Sequence, residues 1–179
     1  MEKMKKIDIT KWKKFSLTEL FELSLSKGDN QAKKLKEGDI PLVSSGKNNN
    51  GICKYIDKGD GVAELFEANT ITIDMFGKSF YQPNSYYAVS HGRVNILLPK
   101  FKLTPNIGLF FVSIFDASYG KKYSFSGMCN QTELMKEIVY LPVTEDGYPN
   151  WIFMERYIKK RCKVVGGYLD ILYPFNTSL

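Results

Sequence analysis

From Asp39 onward the hydropathy pattern changes period, and that switch constrains the fold more than any other feature of the chain. Ile40-Pro41-Leu42-Val43, Ile52–Ile56, Ala68–Asp74, Ser79–Gln82, Tyr86–Ser90 and Val94–Leu98 are short apolar or alternating runs separated by turn-forming residues. In Ala68–Asp74, Ile71 and Ile73 fall on one face and Thr70 and Thr72 on the other. A period of two belongs to a strand, so the middle of the chain is predicted to be β-rich. After Pro99 the period returns to helical. Asn106–Phe115 carries Leu109, Phe110, Val112 and Ile114, too apolar all round for a surface helix and therefore packed on the sheet.

Other signals shape the flanks. Ser16-Leu17-Thr18-Glu19 has the form of a capping box, in which Ser16 accepts from the Glu19 backbone and the Glu19 carboxylate reaches back. It predicts a short helix with Leu17, Leu20 and Phe21 on one face, ended by Lys27-Gly28-Asp29. Thr132–Lys136 predicts a helical turn, and Ile138–Leu141 a strand stopped by Pro142. Trp151–Lys163 predicts a helix with Lys159, Lys160 and Arg161 near its C-terminus, where cations suit the dipole, and Gly166-Gly167 is expected to end it. The expected fold is α+β: one β-rich domain over residues 1–163 with a few short packing helices, then a C-terminal tail over 164–179.

Composition narrows the class. The chain has 179 residues, 44% hydrophobic and 25% charged, which fits a globular domain and excludes disorder, collagen and coiled coil. Its longest apolar run, Ile107–Phe115, is about half of a membrane span, so no membrane partner is expected. Met1–Lys14 is lysine-rich and lacks the apolar core of a secretory signal. Cys53, Cys129 and Cys162 are odd in number and widely spaced, which favours a reducing cytoplasm over a zinc site. Lysine and arginine number 25 against 19 acidic residues, giving +6. Such a balance favours an anionic partner, nucleic acid before membrane.

Groups for catalysis are sparse. His91 is the single histidine, and nothing beside it resembles a nucleophile elbow. There is no GxxxxGK[ST] loop, no GxGxxG after a strand and no HExxH or EF-hand series. Lys58-Gly59-Asp60-Gly61 is read as a turn. The expectation is a non-catalytic protein with no metal site and no cofactor.

What remains is a set of polar loops. Ser44–Gly51 offers hydroxyls, an ammonium, three amides and two glycines. Asparagine and glutamine donate and accept at once, matching the N6/N7 edge of adenine, while lysine suits phosphate or guanine. Gly77–Gln82 places Lys78 and Gln82 beside aromatics, and Tyr119–Gln131 interleaves lysines, tyrosines, serines and amides. Basic residues among aromatics form nucleic-acid surfaces. The plainer reading makes the first loop an ordinary turn, buries Tyr123 and Phe125 and leaves the lysines solvated.

The order of these segments resembles the target recognition domains of type I restriction–modification specificity subunits and related restriction-enzyme specificity modules. The matching pieces are Phe15–Lys27, Ile40–Ser45 leading to Asn49–Ile52, and Asn69–Asp74 before Gly77. Phe80-Tyr81-Gln82, Leu98-Pro99, the stretch 121–126, Ile138–Pro142 and Gly147–Lys159 complete the series. The resemblance implies a β-rich module that reads a few base pairs of double-stranded DNA from the major groove and directs partner methyltransferase and endonuclease subunits. It implies contacts from Ser45, Lys47, Asn48, Asn49, Lys78, Tyr81, Gln82, Lys121, Lys122, Tyr123 and Ser124. A full specificity subunit has two such domains separated by long helices; one domain here leaves a homodimer or a fragment of a larger protein as expectations. The alternatives are a protein-interaction or inhibitory module that does not read DNA, and a nuclease with carboxylates assembled from distant segments.

Overall fold

Strand β5, Thr70–Asp74, is buried at every position, so the sheet that contains it needs a covering layer on each side. In the computed structural model, which describes residues 7–28, 30–89, 94–119 and 121–172, β5 sits inside a four-stranded antiparallel sheet. Its neighbours are β8, Val94–Pro99, and β6, Ser79–Gln82, and the far edge is β2, Phe21–Leu25. His91 lies outside the described residues.

The alternation in β5 decides which layer covers which face. Ile71 and Ile73, with Leu97 of β8, point to helix α2, Pro105–Tyr119, and share a core with Ile107, Phe110, Phe111 and Phe115. Each such side chain, fully buried, contributes about 1.5–3 kcal/mol of transfer free energy. Thr70 and Thr72 face the other way, where their hydroxyls meet Tyr86 Oη and Gln82 Nε2, each at 2.9 Å. On that side Val94 and Ile96 pack with Val43, Phe66, Tyr86 and Ala88. The second layer is a three-stranded sheet in which β3, Glu37–Val43, lies between antiparallel β4, Ile52–Ile56, and parallel β7, Tyr87–Ala88.

Helix α2 approaches the sheet closely because Gly108 faces β6. A Cβ at Gly108 would lie 2.3 Å from the Tyr81 ring. The helix begins at Pro105, whose missing N–H costs nothing at a first position, and Thr104 Oγ1 accepts from the Ile107 amide at 3.3 Å. Helix α4, Trp151–Leu172, packs on α2, with Trp151 stacked on Phe101 at 4.2 Å and Tyr157 edge-on to Phe110 at 5.9 Å. Glu155 of α4 accepts from Thr104 Oγ1 and from Asn106 Nδ2, clamping the two helices at the start of α2.

The α+β expectation holds, and β4 and β9, Ile138–Leu141, fall where the sequence predicts. Other elements differ. The capping box at Ser16 forms, but helix α1 is a single turn, Leu17–Leu20. Phe21 leaves it with extended backbone and opens β2, because pairing with β8 captures the segment that the apolar face predicts as helix. Lysine-rich Lys13–Ser16 is strand β1, paired antiparallel with β9. The turn expected at Thr132–Lys136 is helix α3, Gln131–Leu134, capped by the Asn130 side chain. Helix α4 runs through Gly166-Gly167 to Leu172, so residues 164–172 are helix where a tail is predicted. Each glycine costs about 1 kcal/mol relative to alanine but keeps its N–H donor, so the pair weakens a helix without breaking it.

Candidate functional site

Ser44–Gly51 is closed at its base by the Ser44 amide donating to Gly51 O at 2.8 Å. A register shift between Leu42 and Val43 re-aims β3 just before this loop. Its tip is a single 3-10 turn, Asn49–Gly51, in which Asn49 and Asn50 have φ of 50° and 52°. Asparagine tolerates this left-handed region better than other side-chain-bearing residues. Two further tethers come from the central sheet. Gln82 Nε2 donates to Asn50 O at 3.0 Å, and the Gly46 amide donates to Asp74 Oδ2 at 3.2 Å.

The second loop is the hairpin between β5 and β6. The Gly77 amide donates to Asp74 O at 3.0 Å, and Asp74 Oδ1 accepts from the Phe76 and Lys78 amides, each at 2.9 Å. Gly77 has a φ of +79°, and a Cβ there would lie 2.7 Å from Tyr119 O. Lys78 pairs with Asp116 of α2 and lies 5.1 Å from the centre of the Phe80 ring. Asp116 also accepts from the Ser79 amide and hydroxyl, at 3.2 and 2.9 Å. Desolvation by burial raises the Asp74 carboxyl above the ordinary aspartate value, against the pull of the Lys78, Phe76 and Gly46 amides.

The third loop follows α2. Ser124 and Gly127 exchange backbone hydrogen bonds at 3.1 Å, a tight turn with Phe125 and Ser126 at its tip. The Cys129 amide donates to Met75 O at 2.9 Å, which ties this loop to the hairpin. Lys122 pairs with Glu137, and Tyr123 Oη donates to the same carboxylate at 2.9 Å. Desolvation by burial, with the Glu137 bond second, pushes the Tyr123 phenol well up, and burial pushes the Cys129 thiol up to about 12.

These loops meet around an open cleft of about 870 Å³ lined by Ser45, Gly46, Lys47, Asp74, Phe76, Lys78, Asp116, Tyr123, Ser124 and Phe125. Ser45, Lys47, Lys78, Tyr123 and Ser124 thus come together at one cleft. Asn48, Asn49 and Lys121 are exposed near the loop tips without lining the cleft. Lys122 is turned toward Glu137. Two predicted contacts are interior. Tyr81 is 8% exposed, packed on Gly108 and bonded to Asn69, and Gln82 is 2% exposed and spends its amide on Asn50 and Thr72. Both are removed from the surface because β6 is covered on both faces. Asp74, Phe76, Asp116 and Phe125 line the cleft without having been picked out from the sequence. The plainer alternative, which buries Phe125 in the core, fails, since the residue is 79% exposed with its ring edge-on to Phe76 at 4.9 Å. Among the described residues, no group of three or more His, Cys, Asp or Glu is placed to hold a metal ion.

Comparison with known proteins gives this arrangement a family. Residues 9–164 match the family model described as the Type I restriction modification DNA specificity domain. The chain belongs to that family. It is 30% identical over 165 residues to the Type II restriction enzyme BgcI specificity subunit S.BcgI of Heyndrickxia coagulans, covering 87% of this chain and 45% of that protein. The S subunit of a type I restriction–modification system from M. genitalium shares the fold at a TM-score of 0.56, with 20% identity over 90% of this chain and 40% of that one. The HsdS subunit of Thermoanaerobacter tengcongensis does so at 0.57, with 11% identity over 93% of this chain and 41% of that one. A chain from a structure of complex assembly and conformational transition in the type I R-M system matches at 0.61, with 12% identity over 89% of this chain and 40% of that one. This specificity domain therefore spans less than half the length of the relatives it matches.

Proposed function

We propose that this domain reads a short stretch of double-stranded DNA from the major groove as the specificity module of a restriction–modification system, with no catalytic step of its own. One observation carries the reading: three loops of hydrogen-bonding and basic side chains converge on one cleft, pinned to buried strands. Base reading needs donors and acceptors held in fixed register, and the tethers at Gly46, Asn50 and Gly77 supply that rigidity. Membership of the specificity-domain family supports the same conclusion.

On this reading Ser45, Lys47, Asn48, Asn49, Lys78, Lys121 and Ser124 are the contacts. Gln82, Lys122 and Tyr123 hold the loops, Tyr123 from the cleft wall itself, and Tyr81 packs behind them against α2. Lysines on phosphates supply affinity that falls with salt, while the amides and hydroxyls supply discrimination. Partner methyltransferase and endonuclease subunits would carry out the chemistry in the cytoplasm, and helix α4 is the element suited to space this domain from a second one, in a longer chain or in a homodimer. No helix of the described residues is long and apolar enough to cross a membrane.

The test is selection of bound duplexes from a random library at low and then physiological salt. A short recurrent motif that survives the increase supports direct reading. Given that motif, Lys121→Ala weakens all duplexes alike, whereas Asn49→Ala costs about 1–3 kcal/mol at one base position. Absence of binding at either salt contradicts the proposal.

A further inference from the structure

Phe125 is out of place in a solvated loop. A phenylalanine 79% exposed forgoes most of its burial, and its own turn offers it no core. Yet the ring is not adrift, because it stands edge-on to Phe76, 4.9 Å between centroids, and both line the cleft that Ser45, Lys47 and Lys78 enter. The two aromatics come from separate loops locked together by the Cys129 amide on Met75 O. The result is a fixed apolar edge among hydrogen-bonding and basic groups. Those polar neighbours fit a duplex better than they fit an apolar protein surface. Hydrogen-bonding groups cannot recognise the one apolar group that a base pair shows in the major groove, the 5-methyl of a pyrimidine; an exposed aromatic edge can.

We propose that Phe125, supported by Phe76, is a specificity-determining residue that contacts a pyrimidine 5-methyl group, supplied in unmodified DNA by thymine. The inference rests on the DNA-reading function proposed above and adds to it a named residue, a named group on the base and a direction of preference. Phe76 is a positioning residue: it fixes the ring and need not touch the base.

The experiment uses the full chain and two random duplex libraries, one with thymine and one with deoxyuridine throughout, which differ only by the methyl. The wild type enriches a motif with at least one thymine at which replacement by deoxyuridine weakens binding about fourfold, the worth of one buried methyl-sized group. Phe125→Ala binds the two forms equally, Phe125→Leu keeps part of the preference, and Phe76→Ala reduces it. 5-Methylcytosine at the same position, in place of cytosine, separates the two sources of the group: binding restored by the methyl supports contact with the methyl itself. Thermal melts of the Phe125 variants match the wild type, since the side chain is exposed.

Outcomes against the inference are distinct from outcomes against DNA reading. A motif in which deoxyuridine is tolerated at every thymine, or a thymine preference that survives Phe125→Ala, overturns the role of Phe125 and leaves DNA reading standing. A strong rise of 2-aminopurine fluorescence in the selected duplex, lost in Phe125→Ala, would mean insertion between stacked bases and overturns the methyl contact too. No binding to either library overturns both.

Discussion

The Gly46 amide donates to Asp74 Oδ2 at 3.2 Å, while Asp74 Oδ1 caps the turn that carries Lys78. One buried carboxylate thereby fixes two loops of the cleft. Desolvation holds its proton affinity above the ordinary aspartate value of 3.8. The folded state thus binds that proton more tightly than the unfolded chain. Its stability contribution is full below the unfolded value and is lost as pH rises through the raised folded one. Asparagine does not titrate. The stability of wild type relative to Asp74→Asn therefore declines as pH rises from below the ordinary aspartate value through the raised folded one. Urea melts across that range check it, and a difference that grows with pH would contradict it.

Gln82 holds the first loop by its tip. Its side chain is buried, and its amide donates to Asn50 O at 3.0 Å and to Thr72 Oγ1 at 2.9 Å. Gln82→Ala leaves that carbonyl without its donor and costs about 1–3 kcal/mol of stability. If the proposed DNA-reading function holds, base discrimination falls further than binding to unrelated duplexes, because the tether acts on the Asn48 and Asn49 loop and leaves the lysines proposed for phosphate contact in place. Equal losses on all duplexes would show that the tether does not position the reading groups.

Gly108 and Tyr81 meet where α2 crosses β6. A Cβ on Gly108 would come within 2.3 Å of the Tyr81 ring, so Gly108→Ala forces a shift costing about 1–3 kcal/mol, against about 1 kcal/mol gained in helix propensity. The expected net effect is destabilisation by thermal or urea melt. Combined with Tyr81→Leu, the loss is smaller than the sum of the two single losses, since the pair shares one contact. Strict additivity would place the strain elsewhere.

Local and long-range signals in this chain fare differently on folding. Period two in Ala68–Asp74 and the bounded run Ile52–Ile56 are local patterns that survive folding: the first is strand over Thr70–Asp74, the second over its whole length. The capping box at Ser16 is equally local, but it fixes where a helix starts and says nothing of where it stops. Pairing of Phe21–Leu25 with Val94–Pro99 decides that, across nearly seventy residues of intervening chain. The cleft loops were legible by composition, because amides, hydroxyls and lysines cluster in them. Asp74, Asp116 and Phe125 were not, since their roles come from which loops lie side by side. Tyr81 and Gln82 misled for the converse reason: polar groups in a short strand look like surface until both faces of that strand are known to be covered.

Glu155 offers a titration of opposite sign to Asp74. Hydrogen bonds from Thr104 and then Asn106 hold its carboxyl below the ordinary glutamate value of 4.5, with Lys159 adding a smaller pull. The folded state therefore binds that proton less tightly than the unfolded chain. The stability contribution is present above the unfolded value and is lost as pH falls through the depressed folded one. Glu155 also stands at the N-terminus of α2, where negative charge is favoured. Because the group is partly open to solvent, screening limits the effect to about 0.5–1 kcal/mol. Glu155→Gln keeps an acceptor for Asn106 and removes the charge. At neutral pH it is less stable than wild type by that amount, and the two converge as pH falls through the depressed folded value. Added salt narrows the gap at neutral pH, and DNA selection by the variant is unchanged, because Glu155 lines a hollow with Phe101 and Trp151, separate from the cleft. A gap that persists at low pH would assign the role of Glu155 to packing instead of charge.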